Sequence, residues 1–220
     1  MTTFKKIIGV FIGTIILGLG VAFFEISSLG FDGLSCLVVS IQQLINTSYS
    51  IAYLLVNLLF FIIMIIFLRK QIGIGTVINY LLTGVFCDLF MYLFRIINLT
   101  HSELLVVNIV FGLLGVIFLS LGVALYANAN LGVTPYDAMP LIITKYLKPF
   151  NKTIKYHIAR KIVDGTCILF GVVIGILFLK QYYIFGINTV LALILVGYIV
   201  SFSSKFINKY IYQNHSETFN

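Results

Sequence analysis

Seven acidic side chains are all this 220-residue chain has, and Asp88 lies inside the apolar run Ile72 to Phe94. A carboxylate sixteen residues into such a run, about 24 Å along a helix at 1.5 Å per residue, must be paired, hydrated or protonated. Asp88 therefore reads as a proton, cation or substrate contact, or else as a hydrogen-bonded packing residue. Asn57 aligns with Asp164 through Leu55-Val56-Asn57 against Ile162-Val163-Asp164, and both are candidates to face one polar cavity. Asp164 also stands four residues after Arg160, the spacing of a helical ion pair. Asn130, Thr134 and Asp137 complete the candidate substrate-binding set. Thr134-Pro135-Tyr136-Asp137 supplies a capping hydroxyl, a proline at the first helical position and a carboxylate at the third. Asp32-Gly33-Leu34-Ser35 offers a cap and a hydroxyl earlier in the chain.

These residues sit among elements too apolar for a soluble fold. Apolar residues make up 60% of the chain and charged residues 10%, against roughly 25% charged in soluble domains. The apolar residues fall in six blocks, each close to the roughly 20 residues that cross a bilayer: Ile7 to Phe24, Ile51 to Leu68, Ile72 to Phe94, Leu104 to Tyr126, Ile162 to Leu179 and Ile184 to Phe202. Tyrosines mark many of their edges, as interfacial rings do. The first block follows Lys5 and Lys6 like a signal peptide, but its pattern recurs inside the chain, so it reads as a span. With both termini in the cytoplasm, twelve of the fourteen basic residues fall inside and only Arg95 and Lys180 outside. The positive-inside rule selects that orientation.

The chain repeats itself. Leu19-Gly20-Val21-Ala22, six residues, then Leu29-Gly30 match Leu121-Gly122-Val123-Ala124, six residues, then Leu131-Gly132 at an offset of 102. Gly73-Ile74-x-Thr76-Val77, six residues, then Gly84 match Gly186-Ile187-x-Thr189-Val190, six residues, then Gly197 at an offset of 113. The fold class expected is an all-α polytopic membrane protein with two inverted three-helix repeats, residues 1–98 and 99–210, and a cytoplasmic tail at 211–220. An odd number of crossings per copy forces the inversion, and the charge agrees: Glu25 to Ser50 holds no Lys or Arg, while Ala127 to Lys161 holds six. Gly20, Gly30, Gly122, Gly132 and Pro135 are the structural positions of the pattern. The segments Leu34 to Asn46 and Tyr136 to Tyr146 are apolar but too short to span. They are either re-entrant helices, whose positive ends can hold an anionic or polar small molecule, or interfacial helices lying flat.

Cys36, Cys87 and Cys167 have no pairing or zinc-like spacing. His101, His157 and His215 lie in connections or the tail. There is no H-E-x-x-H, no G-x-S-x-G and no Walker-type loop, so an enzyme is not expected, nor a cofactor or metal, and the net charge of +7 reports topology rather than nucleic-acid binding. The runs Leu119 to Tyr126 and Asn130 to Asp137, followed by Arg160 and Asp164, resemble the YczE/YyaS/YitT group of bacterial membrane proteins, especially its YczE-like branch. The resemblance covers Phe4 to about Phe206, with Tyr136 where tryptophan is at least as familiar. It implies a bacterial cytoplasmic membrane location and a multi-span fold, and it names no activity. The leading expectation is a small secondary transporter or permease with coupling through Asp88. The alternative is a non-transporting accessory or lipid-binding membrane protein. Glycine-rich faces also make a homodimer an expectation, with the lipid bilayer as constant partner.

Overall fold

Among the described residues eight α-helices form in the order the apolar blocks dictate: α1 Thr3–Ser27, α2 Gly33–Leu44, α3 Tyr49–Leu68, α4 Ile74–Ile96, α5 Leu105–Asn128, α6 Pro135–Leu147, α7 Tyr156–Ile174 and α8 Ile187–Ile207. This computed structural model describes residues 2–147, 156–179 and 184–212, and no strand occurs among them. Six of the described segments are long and apolar enough to cross a membrane: Thr3–Ser27, Tyr49–Gln71, Ile74–Ile96, Leu105–Asn128, Tyr156–Phe178 and Ile187–Tyr212. They overlap the six expected spans, with shifted ends. Lys148, Lys152, Lys155 and Lys180, which contributed to the charge count, lie outside the described residues, as does the tail from residue 213.

The shifted ends have local causes. The fifth span starts at Tyr156 rather than Ile162, because Arg160 and Asp164 are buried in ion pairs inside the bundle instead of marking its edge. The fourth and eighth helices start two to three residues later than the apolar runs. Gly73 and Gly186 are extended caps whose N–H groups donate to the Thr76 and Thr189 hydroxyls at 3.1 and 3.3 Å. The last span runs on through a π-helical turn to Tyr212, two residues into the segment expected as tail. The Tyr212 ring is buried and its hydroxyl donates to the Leu125 carbonyl at 2.9 Å.

α1 and α5 pack together at the centre, where half of α1 is buried. A Cβ on Gly20 would lie 2.4 Å from the Leu119 nitrogen and one on Gly122 2.6 Å from the Leu17 nitrogen, so these backbones touch as small-residue membrane interfaces do. α4 packs on α1 and α8 on α5. The short α2 lies against α7 and α3, and the short α6 against α3 and α7. Interhelical amides add specificity: Thr14 donates to Asn79 at 2.9 Å, and Asn188 donates to Ser27 at 2.7 Å.

Two turns cross-link distant helices. After α1 the chain turns at Gly30 (φ +98°) and after α5 at Gly132 (φ +110°), a left-handed geometry that glycine alone adopts cheaply. The Leu29 carbonyl then accepts from the Asn188 N–H at 2.9 Å, and the Leu131 carbonyl accepts from the Gly75 N–H at 2.8 Å. The turn after α1 is thereby stitched to the start of α8 and the turn after α5 to the start of α4.

Candidate functional site

The starts of α2 and α6 meet inside the protein. Asp32, Ser35, Thr134 and Asp137 are all buried, and they line a cavity of about 30 Å³ together with Tyr49, Tyr53 and Arg160. Leu17 and Val21 of α1 and Leu119 and Val123 of α5 close it, so it sits near the middle of the two central helices. Its volume is enough for roughly one or two water molecules.

Each helix start is capped by its own residues. The Asp32 carboxylate accepts from the Ser35 N–H at a long 3.5 Å. The Thr134 hydroxyl accepts from the Asp137 N–H at 3.1 Å and donates to Asp137 Oδ2 at 2.7 Å. Tyr126 and Thr134 share a hydroxyl contact at 3.2 Å, and Ser35 and Tyr49 share one at 2.9 Å.

Arg160 of α7 organises the charges. Its Nη1 binds Asp137 Oδ1, and its Nε donates to Asp164 Oδ1 at 3.1 Å. Its guanidinium carbon lies 4.8 Å from the Tyr136 ring centroid, a cation–π stack, while the Tyr136 hydroxyl donates to Asp164. One guanidinium thus serves two buried carboxylates from α6 and α7. Asp32 is the third carboxylate and has no guanidinium of its own. Its Oδ1 is buried without a hydrogen-bond partner.

Of the residues singled out in the sequence, Thr134, Asp137 and Asp164 come together here. Asp88 does not: its two oxygens accept from the Tyr49 and Ser50 N–H groups at 3.2 and 3.0 Å, which caps α3. Asn57 is buried on α3 and donates to the Tyr53 carbonyl at 3.1 Å, outside the cavity lining, with its Oδ1 unpartnered. Asn130 is exposed at the turn before α6 with φ +54°. Asp32, Ser35, Tyr49, Tyr53, Tyr136 and Arg160 join the site without having been selected as binding residues. The offset of 102 aligns Asp32 with Thr134 and Ser35 with Asp137, so the first helix start had the same claim as the second.

A family profile matches residues 4–205, nearly the whole chain. The chain belongs to the family of unknown function DUF6198. Two proteins of Bacillus subtilis (strain 168) are similar to it. The uncharacterized protein YyaS is 26% identical over 148 residues, covering 66% of this chain and 73% of its own length. The uncharacterized membrane protein YczE is 31% identical over 80 residues, 36% of this chain and 35% of its own. No solved structure matches. With six apolar spans and a membrane protein among its relatives, the chain is a multi-pass integral membrane protein.

Proposed function

We propose that this protein is a small secondary transporter of the bacterial cell membrane, moving a polar small molecule or ion through the site between α2 and α6. The observation that carries this is the buried cluster of three carboxylates and one guanidinium around a cavity at mid-bundle. Ionisable groups are expensive at membrane depth and mark substrate or ion paths there. Helix starts meeting at such a site are the arrangement that broken-helix transporters use.

Residues 1–98 and 99–210 act in this reading as inverted repeats, with α2 and α6 as re-entrant helices. The paired cross-links Leu29 to Asn188 and Leu131 to Gly75 support it, since each contact has its counterpart at the sequence offsets of 102 and 113. The burial of both helix starts supports the re-entrant placement over a flat interfacial one. The twelve-to-two division of basic residues supports cytoplasmic termini. Alternating access then amounts to rocking one repeat against the other around the α1–α5 contact. Asp137, Asp164 and Thr134 are the substrate-facing residues, with Arg160 as the group that meets any anionic part of the cargo. Asp88 acts as a helix cap rather than as a coupling residue.

The reading is tested by thermal stabilisation of the detergent-purified protein across a panel of anions, amino acids, metabolites and lipids, with Asp137→Asn alongside. A ligand that binds only the folded state raises the unfolding temperature by mass action. A polar small molecule that stabilises the parent, fails to stabilise the variant and is taken up by proteoliposomes supports transport. Stabilisation by lipids alone contradicts it.

One observation favours a second reading, a lipid-binding accessory protein. An open groove of about 600 Å³ between α3 and α7 is lined almost wholly by apolar side chains, among them Leu59, Phe60, Met139 and Ile142. It has room for an acyl chain, and its lining residue Phe60 packs against Tyr136 of the cavity, ring centroids 5.6 Å apart.

A further inference from the structure

We propose that Asp32 is an exchangeable proton site, its carboxylate taking up a proton at Oδ1 and releasing it to water whenever the central cavity opens. The proposal rests on the transport reading and deepens it by naming the coupling ion.

The geometry singles out this carboxyl. Asp137 is held by the Arg160 guanidinium and the Thr134 hydroxyl, and Asp164 by the same guanidinium and the Tyr136 hydroxyl. Asp32 has only Ser35 beside it, whose backbone N–H lies 3.5 Å from Oδ2 and whose side chain also favours the carboxylate, and its Oδ1 has no hydrogen-bond partner, although it is only 7% exposed and lines the cavity. The single positive charge of Arg160 already faces two carboxylates, so an ionised Asp32 would leave the site two charges negative in a poorly solvated place. A proton on Oδ1 lowers that excess, and the resulting O–H becomes a donor on a residue that lines the cavity.

The groups facing Asp32 come from every neighbouring element. α7 brings Arg160 and Asp164, and Asp164 lies close enough that a Cβ on Gly33 would sit 2.8 Å from it. α6 brings Asp137 and Tyr136, α3 brings Tyr49 and Tyr53, and α2 itself brings Ser35 and Cys36. Arg160 is the cationic group among these described residues, and it is already engaged. The repeat explains the asymmetry: Arg160 stands four residues before Asp164 and Tyr53 four before Asn57, so the first half carries a phenol where the second carries a guanidinium. Asp32 keeps a carboxylate without the cation that its counterpart site has.

The test is infrared difference spectroscopy of the protein reconstituted in lipid, titrated from acid to alkaline pH in sodium-free and sodium-containing buffer. The parent should show one protonated-carboxyl carbonyl band that shifts in D₂O and disappears at high pH. The band should be lost in Asp32→Asn, which keeps a capping oxygen for Ser35, and kept in Asp88→Asn. Asp32→Glu should retain it at a shifted position, which guards against a folding defect in the amide. A parent with no such band, or a band that survives Asp32→Asn, overturns the proposal. So does a band seen only when sodium is withdrawn, which would make the ligand a cation. A band that behaves as expected in a protein giving no flux in proteoliposomes leaves Asp32 as the proton site and removes the transport reading alone.

Discussion

Replacing Arg160 by methionine keeps the length of the side chain and removes the one cation between Asp137 and Asp164. Breaking a buried ion pair from one side costs about 3–5 kcal/mol, because the stranded partner is a desolvated charge. The protein can escape by protonating that partner. For Asp137, with a reference pKa of about 3.9, the escape costs about 4 kcal/mol at pH 7 and about 1.5 kcal/mol at pH 5. In the variant the Asp137 carboxyl loses the cation that favours its charged form, so it takes up a proton more readily in the folded state than in the parent. Stability from that carboxyl is then present at low pH and lost as pH climbs and the proton leaves. Arg160→Met should therefore unfold well below the parent at pH 7, by about 6–20 °C at roughly 2–4 °C per kcal/mol for a chain this size, and the deficit should shrink by at least half at pH 5. Adding Asp137→Asn should restore much of the loss at pH 7, a coupling that a double-mutant cycle reads directly. Thermal unfolding in detergent, followed by tryptophan-free circular dichroism or by aggregation, is the assay. An Arg160→Met protein within about 2 °C of the parent at pH 7, or a deficit that does not change with pH, refutes the reasoning.

Further outcomes follow from single contacts. Gly132→Ala should destabilise by at least about 1–2 kcal/mol from the left-handed backbone alone, and its Cβ would sit 2.4 Å from the Thr76 hydroxyl that caps α4. Gly165→Ala is the matched control in thermal unfolding, since a Cβ there meets nothing within 4 Å, and it should be neutral or stabilising by up to about 1 kcal/mol as helical glycines are. Asp88→Asn should lose about 1 kcal/mol of capping while leaving ligand stabilisation and flux unchanged, and a loss of flux in a folded Asp88→Asn protein would return the coupling role to Asp88. Cys36, Cys87 and Cys167 are free and buried, so a membrane-impermeant maleimide should label none of them in the folded protein and all three after unfolding.

The spans were legible because six apolar blocks of near-bilayer length admit few alternatives, and because glycine spacing marked the turns at Gly30 and Gly132. What composition could not convey was where the charges go. Arg160 and Asp164 look like an interfacial pair when only their own helix is considered. The structure buries them because Asp137, distant in sequence, is brought to the same guanidinium by the buried start of α6. Asp88 drew attention by its depth in an apolar run, yet depth says nothing about partners, and two N–H groups from the start of α3 take both its oxygens. Asp32 was readable as a helix cap and no more, since an unpartnered oxygen is a property of the assembled site. Its alignment with Thr134 was the one sequence signal that placed it there.

The central claim is that the cavity between α2 and α6 opens in turn to the two sides of the membrane. The direct measurement is labelling of Ser35→Cys, in a background with Cys36, Cys87 and Cys167 replaced by alanine, by a membrane-impermeant maleimide added to right-side-out and to inverted vesicles, with Phe4→Cys as a one-sided reference. Labelling of Ser35→Cys from both faces, against one for Phe4→Cys, is the predicted result. Labelling from a single face, or from neither, would contradict it.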